Sequence, residues 1–358
     1  MKTLEVRGKI LELPAFLPDA TFGCVRGVSI EDLNNTGIRG LVVNTYHLFK
    51  LNLIDEISKN GIGDYIDFSG VVISDSGGFQ VMSLIRELRS GKIDDSGVTF
   101  TFDNRKIIFT PENCIKLQFL IGSDVIMCLD DCTYPNLSFE EQRKSVERTI
   151  LWAARCKREF DKLIKNLNKN ERPLIFGIIQ GGNNFELRKK CAYEIIKLNF
   201  DGYAFGGWPV EKGVFLKDIL KYVAELIPKE KIKYAMGVGK PEDIVFCVNS
   251  GYTLFDCVIP TREARNNRLY TFKRNIFGNM KKLNERGSFY EYVRIRNMKN
   301  KENKNPISKV CDCYACNNFS RADIYRFFKS KNPEGVRLST IHNLRFYSML
   351  MERFRKDK

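Results

Sequence analysis

Short, unbroken apolar runs mark the first 260 residues, and each closes on a polar, acidic or glycine-containing corner. They are PAFLPDA (14–20), GLVVNTYH (40–47), GVVISDSGG (70–78), DVIMCLDDC (124–132), PLIFGIIQGG (173–182), GYAFGG (202–207), KYAMGVG (233–239) and TLFDCVIPTR (253–262). Continuous rather than alternating apolar character predicts strands buried on both faces, as in a parallel sheet. Helical signals fall between many of the runs. Ser138 to Glu141 is a capping box ahead of Val146, Ile150 and Ala153/Ala154 at helical spacing. Thr110-Pro111-Glu112 supplies an N-cap and an N1 proline, and 184–198 reads as a further helix. Strand and helix alternating eight times predict an α/β chain built as a (β/α)8 barrel rather than a doubly wound sheet. VTFTF, DNRK and IIF (98–109) predict a hairpin inserted after the third strand. The rhythm stops near residue 270, which predicts a catalytic barrel over 1–270 and a basic subdomain with C-terminal helices over 271–358, packed on it as one domain.

Composition narrows the class. The chain has 358 residues, 43% hydrophobic and 28% charged, which excludes a disordered chain, a collagen and a small disulfide scaffold. No apolar run approaches the roughly 20 residues that span a bilayer, and the charged start MKTLEVRGKILELPAF has no signal-peptide core. A cytoplasmic protein is expected. Of eleven cysteines, Cys24, Cys114, Cys128, Cys156, Cys191, Cys247 and Cys257 are scattered in apolar contexts, where a reduced thiol packs as a small hydrophobe.

Charge is unevenly placed. Residues 261–358 carry 24 Lys+Arg against 9 Asp+Glu, a net of +15, whereas 1–260 carry 34 of each. Such asymmetry suits a polyanion, because every phosphate neutralised releases a counterion; a solubilising tail suits it equally.

In a barrel the active site lies at the carboxyl ends of the strands, so the residue closing each run is a candidate. These are Asp75, Asp130, Gln180, Gly206/Gly207, Met236 and Asp256. Asp75 and Asp256 supply what chemistry at an anomeric carbon requires, one carboxylate to attack or shield the oxocarbenium ion and one to move protons. Asp130 can accept two hydrogen bonds from a guanine-like edge. A lone strand-end aspartate is more simply a cap, but three at neighbouring ends indicate a site. Cys311, Cys313 and Cys316, with His342 further on, match a closed Cys3His zinc shell. With no open position, such a metal holds structure and activates no water. A serine-protease reading of Asp75-Ser76-Gly77-Gly78 fails for want of partners, since the only other histidine, His47, is expected to pack behind the second strand.

SDSGGFQVMSL (74–84), MCLDDC (127–132), GIIQGG (177–182), YAMGVGKPED (234–243), FDCVIPTREARN (255–266), CDCYAC and TIHNL (340–344) closely resemble the tRNA-guanine transglycosylases, also called queuine tRNA-ribosyltransferases. The similarity runs in order from about residue 44 to the C-terminus. It implies exchange of guanine at the first anticodon position (position 34 of GUN anticodons) for a 7-deazaguanine, through a covalent aspartyl-ribose intermediate. By motif position Asp256 is the nucleophile and Asp75 the general acid/base. Asp130, Gln180, Gly207 and Ser76 would read the base, Phe79 and Met236 would sandwich it, and Arg262 and Arg265 would hold the anticodon loop. The resemblance further implies one structural zinc per chain, no ATP or redox cofactor, and a homodimer. Rival readings are a non-catalytic tRNA-binding member, against which the presence of both Asp75 and Asp256 argues, and a relative that exchanges bases in DNA.

One segment departs from the family. Where the common bacterial loop reads GGLAVGE, this chain has Gly206-Gly207-Trp208-Pro209-Val210-Glu211-Lys212, with lysine at the usual acid position. The choice of 7-substituent stays open among aminomethyl, queuine and nitrile forms, with Val210 favouring a small one.

Overall fold

The computed structural model describes residues 3–88, 91–102, 105–134, 136–273 and 280–357. Each of the eight apolar runs forms one strand of a single parallel sheet: β1 Ala15–Leu17, β2 Gly40–Asn44, β3 Val71–Asp75, β4 Val125–Met127, β5 Leu174–Ile179, β6 Gly202–Phe205, β7 Ile232–Ala235 and β8 Leu254–Asp256. Neighbours follow chain order, and β8 pairs with β1. The remaining seam, between β1 and β2, is joined by an isolated bridge of Asp19 to Val42 and by Ala20 N donating to Val42 O at 2.7 Å. The strands are buried on both faces, as continuous apolar character demands.

The amino-terminal end of the barrel is covered by an unanticipated hairpin, Thr3–Val6 with Lys9–Glu12. Its Lys9 Nζ reaches Gly70 O at 3.0 Å and Asp124 Oδ2 at 2.8 Å, the residues immediately before β3 and β4. The hairpin thus lies against the strand starts, at the end opposite the carboxyl ends of the strands.

The helix signals hold locally. Ser138 and Glu141 form the reciprocal capping box of helix Phe139–Ile164, Thr110 caps Pro111–Leu120, and Asn184 caps Phe185–Lys197. The insertion after β3 is a three-stranded sheet, Lys92–Asp94, Gly97–Phe102 and Arg105–Phe109, so one strand more than the alternation predicts. Turn residues 103–104 of DNRK lie outside the described residues. Among the scattered cysteines Cys24 is exposed, and Cys114, Cys128, Cys156, Cys191 and Cys247 are buried.

Beyond the barrel, strand Arg268–Phe272 pairs antiparallel with Tyr290–Arg294, and the chain ends in helices Tyr314–Asn318, Arg321–Lys329 and Glu334–Lys356. The last helix is tied to the barrel by polar bonds in apolar surroundings. Asn343 Nδ2 donates to the carbonyls of Pro260 and Arg268 at 3.0 Å each, and the Tyr347 hydroxyl donates to Gly239 O at 2.6 Å. The ring of Tyr347 meets Phe16 of β1 at 4.6 Å.

Candidate active site

Asp75 and Asp256 end β3 and β8, so both carboxylates stand at the open mouth. The turn after Asp75 needs its glycines. Gly77 has φ +77, and a Cβ there would lie 2.7 Å from Tyr46 Cβ; one on Gly78 would lie 2.6 Å from Leu129 Cδ1. Ser76 is buried and its Oγ accepts from Gly78 N at 3.2 Å, which fixes the turn. Asn44, opposite Asp75 in the β2–β3 register, donates Nδ2 to Asp75 Oδ2 at 3.1 Å. Burial pushes the Asp75 carboxyl up to about 6, against hydrogen bonds from the Ser76 backbone, the Gln80 side chain and Asn44.

Asp256 is held from β7. The Tyr234 hydroxyl donates to Oδ1 at 2.7 Å, and Gly237 N donates to the same oxygen at 3.0 Å. Burial pushes this carboxyl up to about 6 as well; those two bonds oppose the rise, and the charges of Asp75 and Asp19 add to it. Both carboxyls thus stand in a desolvated mouth, where a carboxylate charge is weakly screened.

The third acid meets its amide. Gln180, just past β5, donates Nε2 to Asp130 Oδ2 at 2.5 Å. Burial lifts Asp130 to about 7, with the Gln180 bond opposing and the Asp75 charge reinforcing. Room for Gln180 comes from Gly206 and Gly207. A Cβ on Gly206 would lie 2.4 Å from Ile178 Cγ2, and one on Gly207, at φ +87, would lie 3.1 Å from Gln180 Oε1. Arg188 braces this corner from behind. Wholly buried, it donates to the carbonyls of Gly182 (2.9 Å), Ile179 (2.5 Å) and Gly206 (2.9 Å).

Half-buried Met236 follows β7, and Phe79 is 36% exposed after β3. Trp208 meets Phe79 edge-on at 5.5 Å and stacks on Tyr134 at 5.9 Å, adding an aromatic group beside the mouth. The departing loop is a small hairpin, Val210–Glu211 against Val214–Phe215. Lys212 (φ +48) and Gly213 (φ +82) form its two-residue turn, so the lysine at the family's acid position stands exposed at the tip. Arg262 and Arg265 lie on helix Ile259–Arg265, directly past Asp256; Arg262 is exposed, and Arg265 keeps a buried Nη1 with no hydrogen-bond partner among the described residues. His47 packs its ring against Phe22 and Tyr46.

Asp19, Asn44, Gln80, Tyr234 and Arg188 are absent from the run-end candidates. Asp19 and Asn44 had a usable signal, since they end the first and second apolar runs as Asp75 ends the third.

The ligand atoms of Cys311, Cys313, Cys316 and His342 all lie within 4.8 Å of one another, and the four residues are buried. His342 Nε2 is 2.6 Å from the Tyr270 carbonyl oxygen, which can only accept. The ring proton is thereby placed on Nε2, and Nδ1, 3.3 Å from Cys316 Sγ and 3.6 Å from Cys313 Sγ, keeps its lone pair for a metal. This donor set fits a tetrahedral ion.

No helix among the described residues is long and apolar enough to cross a membrane. A family model described as queuine tRNA-ribosyltransferase matches residues 1–357. The chain is 40% identical over 353 residues to the queuine tRNA-ribosyltransferase of Shewanella sp. (strain W3-18-1), spanning 98% of this chain and 87% of that one. Over 351 residues it is 40% identical to the protein of that name from Haemophilus ducreyi (strain 35000HP / ATCC 700724), spanning 97% and 85%. With barrel, acids and Cys3His cluster in place along the same length, the chain belongs to the queuine tRNA-ribosyltransferase family.

Proposed function

We propose that this protein is a tRNA-guanine transglycosylase that exchanges guanine at the first anticodon position for a 7-deazaguanine in queuosine synthesis. The observation that carries the reading is the pairing of Asp75 and Asp256 at one barrel mouth, each lifted to about 6 and Asp256 lifted in part by Asp75. Two buried carboxyls raised toward neutrality at one mouth can supply one proton donor and one carboxylate together.

In this reading Asp256 attacks C1′ of the ribose through Oδ2. Both of its hydrogen bonds end on Oδ1, so the attacking oxygen is the less engaged one. A C1′–Oδ2 bond forms as the C1′–N9 bond breaks, and Asp75 gives its proton to the departing guanine. The incoming base then loses its N9 proton to the Asp75 carboxylate and displaces Asp256 from C1′. Two inversions leave the sugar configuration unchanged, as in retaining glycosidases.

Asp130 accepts from the donor edge of the base, Gln180 and the Gly207 backbone serve its carbonyl side, and Phe79 and Met236 cover its faces. A flipped base is commonly read in this way, by edge hydrogen bonds and stacking. Ser76 contributes by setting the turn that presents Asp75 and Phe79. Arg262 and Arg265 hold the anticodon loop. Zinc on Cys311, Cys313, Cys316 and His342 holds the C-terminal subdomain and takes no part in the exchange. The family resemblance further supports a cytoplasmic homodimer.

Incubation with radiolabelled guanine and unmodified tRNA bearing a GUN anticodon tests the activity. Label entering the tRNA supports it; tRNA binding without incorporation would leave a non-catalytic binding protein.

A further inference from the structure

Arg268 and Arg294 stand directly opposite one another in the antiparallel pair Arg268–Phe272 and Tyr290–Arg294. Like charges opposed on neighbouring strands weaken a ladder; Glu263 neutralises Arg268, and Arg294 is the member left without a carboxylate among the described residues. Arg296 follows two residues on, and the three guanidinium groups line one concavity of about 430 Å³ with Asn266 and Asn267. Glu263 engages Arg268, with Nη2 and Oε1 3.0 Å apart. Arg294 and Arg296 are exposed, and neither forms an ion pair among the described residues; the same holds for Lys299, Lys301, Lys304 and Lys309. By contrast, Arg143, Arg148, Arg155 and Arg172 on the barrel each have a carboxylate partner.

The concavity also has a defined place. Helix Ile259–Arg265 leads from the Asp256 corner to Asn266, and its seven residues span about 10 Å. A strand of RNA with one nucleotide in the base pocket would run its backbone along this helix. Guanidinium forks match phosphate oxygens bidentately, which an ammonium cannot do.

We propose that Arg294 and Arg296, beside the Glu263-paired Arg268, form a site for a backbone phosphate of the tRNA, outside the base pocket and beyond Arg262 and Arg265. This rests on the base-exchange reading above. The test compares the full-length wild type with Arg294→Gln/Arg296→Gln and with a charge-matched control, Lys169→Gln/Lys229→Gln. The control lysines are exposed and precede β5 and β7, at the opposite end of the barrel. Affinity for unmodified tRNA is measured from about 50 to 250 mM salt, where counterion release dominates. The plot of log affinity against log salt should lose about 1.5 in slope for the arginine pair, two charges at about 0.7 to 0.9 each. The KM for tRNA should rise about tenfold or more, with the KM for guanine unmoved. Arg294→Lys/Arg296→Lys should keep the slope and lose affinity. If guanine exchange proceeds in the wild type but the arginine pair matches the control in slope and KM, the phosphate site is wrong. If the wild type exchanges no guanine, the reading beneath it falls instead.

Discussion

The hydroxyl of Tyr234 donates to Oδ1 of Asp256 at 2.7 Å, across from β7 to β8. This bond stabilises the charged carboxylate and holds its pKa below what burial would impose. Tyr234→Phe should therefore raise the Asp256 pKa and move the acid limb of the kcat profile to higher pH. A hydrogen bond to a charged group is worth about 1.5–3 kcal/mol, so exchange at pH 6 should drop about tenfold or more, with a smaller loss at pH 8. A superimposable pH profile would remove Tyr234 from this role.

The exchange itself should have a bell-shaped pH profile. Asp75 and Asp256 are both pushed up to about 6, and the working pair carries one proton between them. Activity should fall below the region of these values as the nucleophile is protonated, and above it as the acid is lost. Steady-state kcat from pH 4.5 to 9 gives the answer; a rate rising monotonically to pH 9 would exclude a required proton on Asp75.

Stability should fall as pH rises from the ordinary carboxylate range to about 7. The folded-state pKa of Asp130 is lifted to about 7 from an ordinary value of 3.8, so between these the native state binds more protons than the unfolded state. The penalty is absent below the unfolded value and complete above the folded one. Asp130→Asn should thus raise Tm at pH 8, by about 1–3 kcal/mol of stability, and gain nothing near pH 3.5. Thermal melts at both pH values check this, and equal gains at both would contradict it.

How much of this was written in the chain depends on where a polar group sits. Asp75, Asp130, Gln180 and Asp256 close or follow apolar runs, and the barrel rule converts such positions into a mouth. Tyr234 lies inside a run and reads as core, because its ring is core; only its hydroxyl reaches the neighbouring strand. Arg188 reads as one more surface charge on the helix Phe185–Lys197, yet it points inward onto three carbonyls. The Cys3His spacing was legible, whereas the Tyr270 carbonyl that orients His342 sits 72 residues away. Lys92–Asp94 is too short to show a period, and the cover over the barrel floor depends on long-range contacts from Lys9 that no local pattern encodes.

Gly206 tests the packing of the base pocket. Gly206→Ala would press a methyl to within 2.4 Å of Ile178 Cγ2 and 2.6 Å of Gln180 Nε2. Crowding of this kind typically costs about 1–3 kcal/mol. The KM for guanine should rise several-fold as Gln180 is displaced. Wild-type Tm together with wild-type KM would show that the corner yields freely.

Metal removal should unfold the C-terminal part before the barrel. Cys316→Ser should lower bound zinc below one per chain and reduce Tm, since a structural zinc contributes folding free energy. Elemental analysis with calorimetry decides it, and an undiminished zinc content would discard that ligand set.

The central claim is a bond between Asp256 and the ribose. Wild-type protein mixed with unmodified GUN-anticodon tRNA and no free base, then quenched and digested with protease and nuclease, should yield one peptide bearing a ribose adduct on Asp256. Mass spectrometry should find that adduct lost on chasing with guanine and absent from Asp256→Ala. An adduct on any other residue, or guanine exchange by Asp256→Ala at the wild-type rate, would contradict the account.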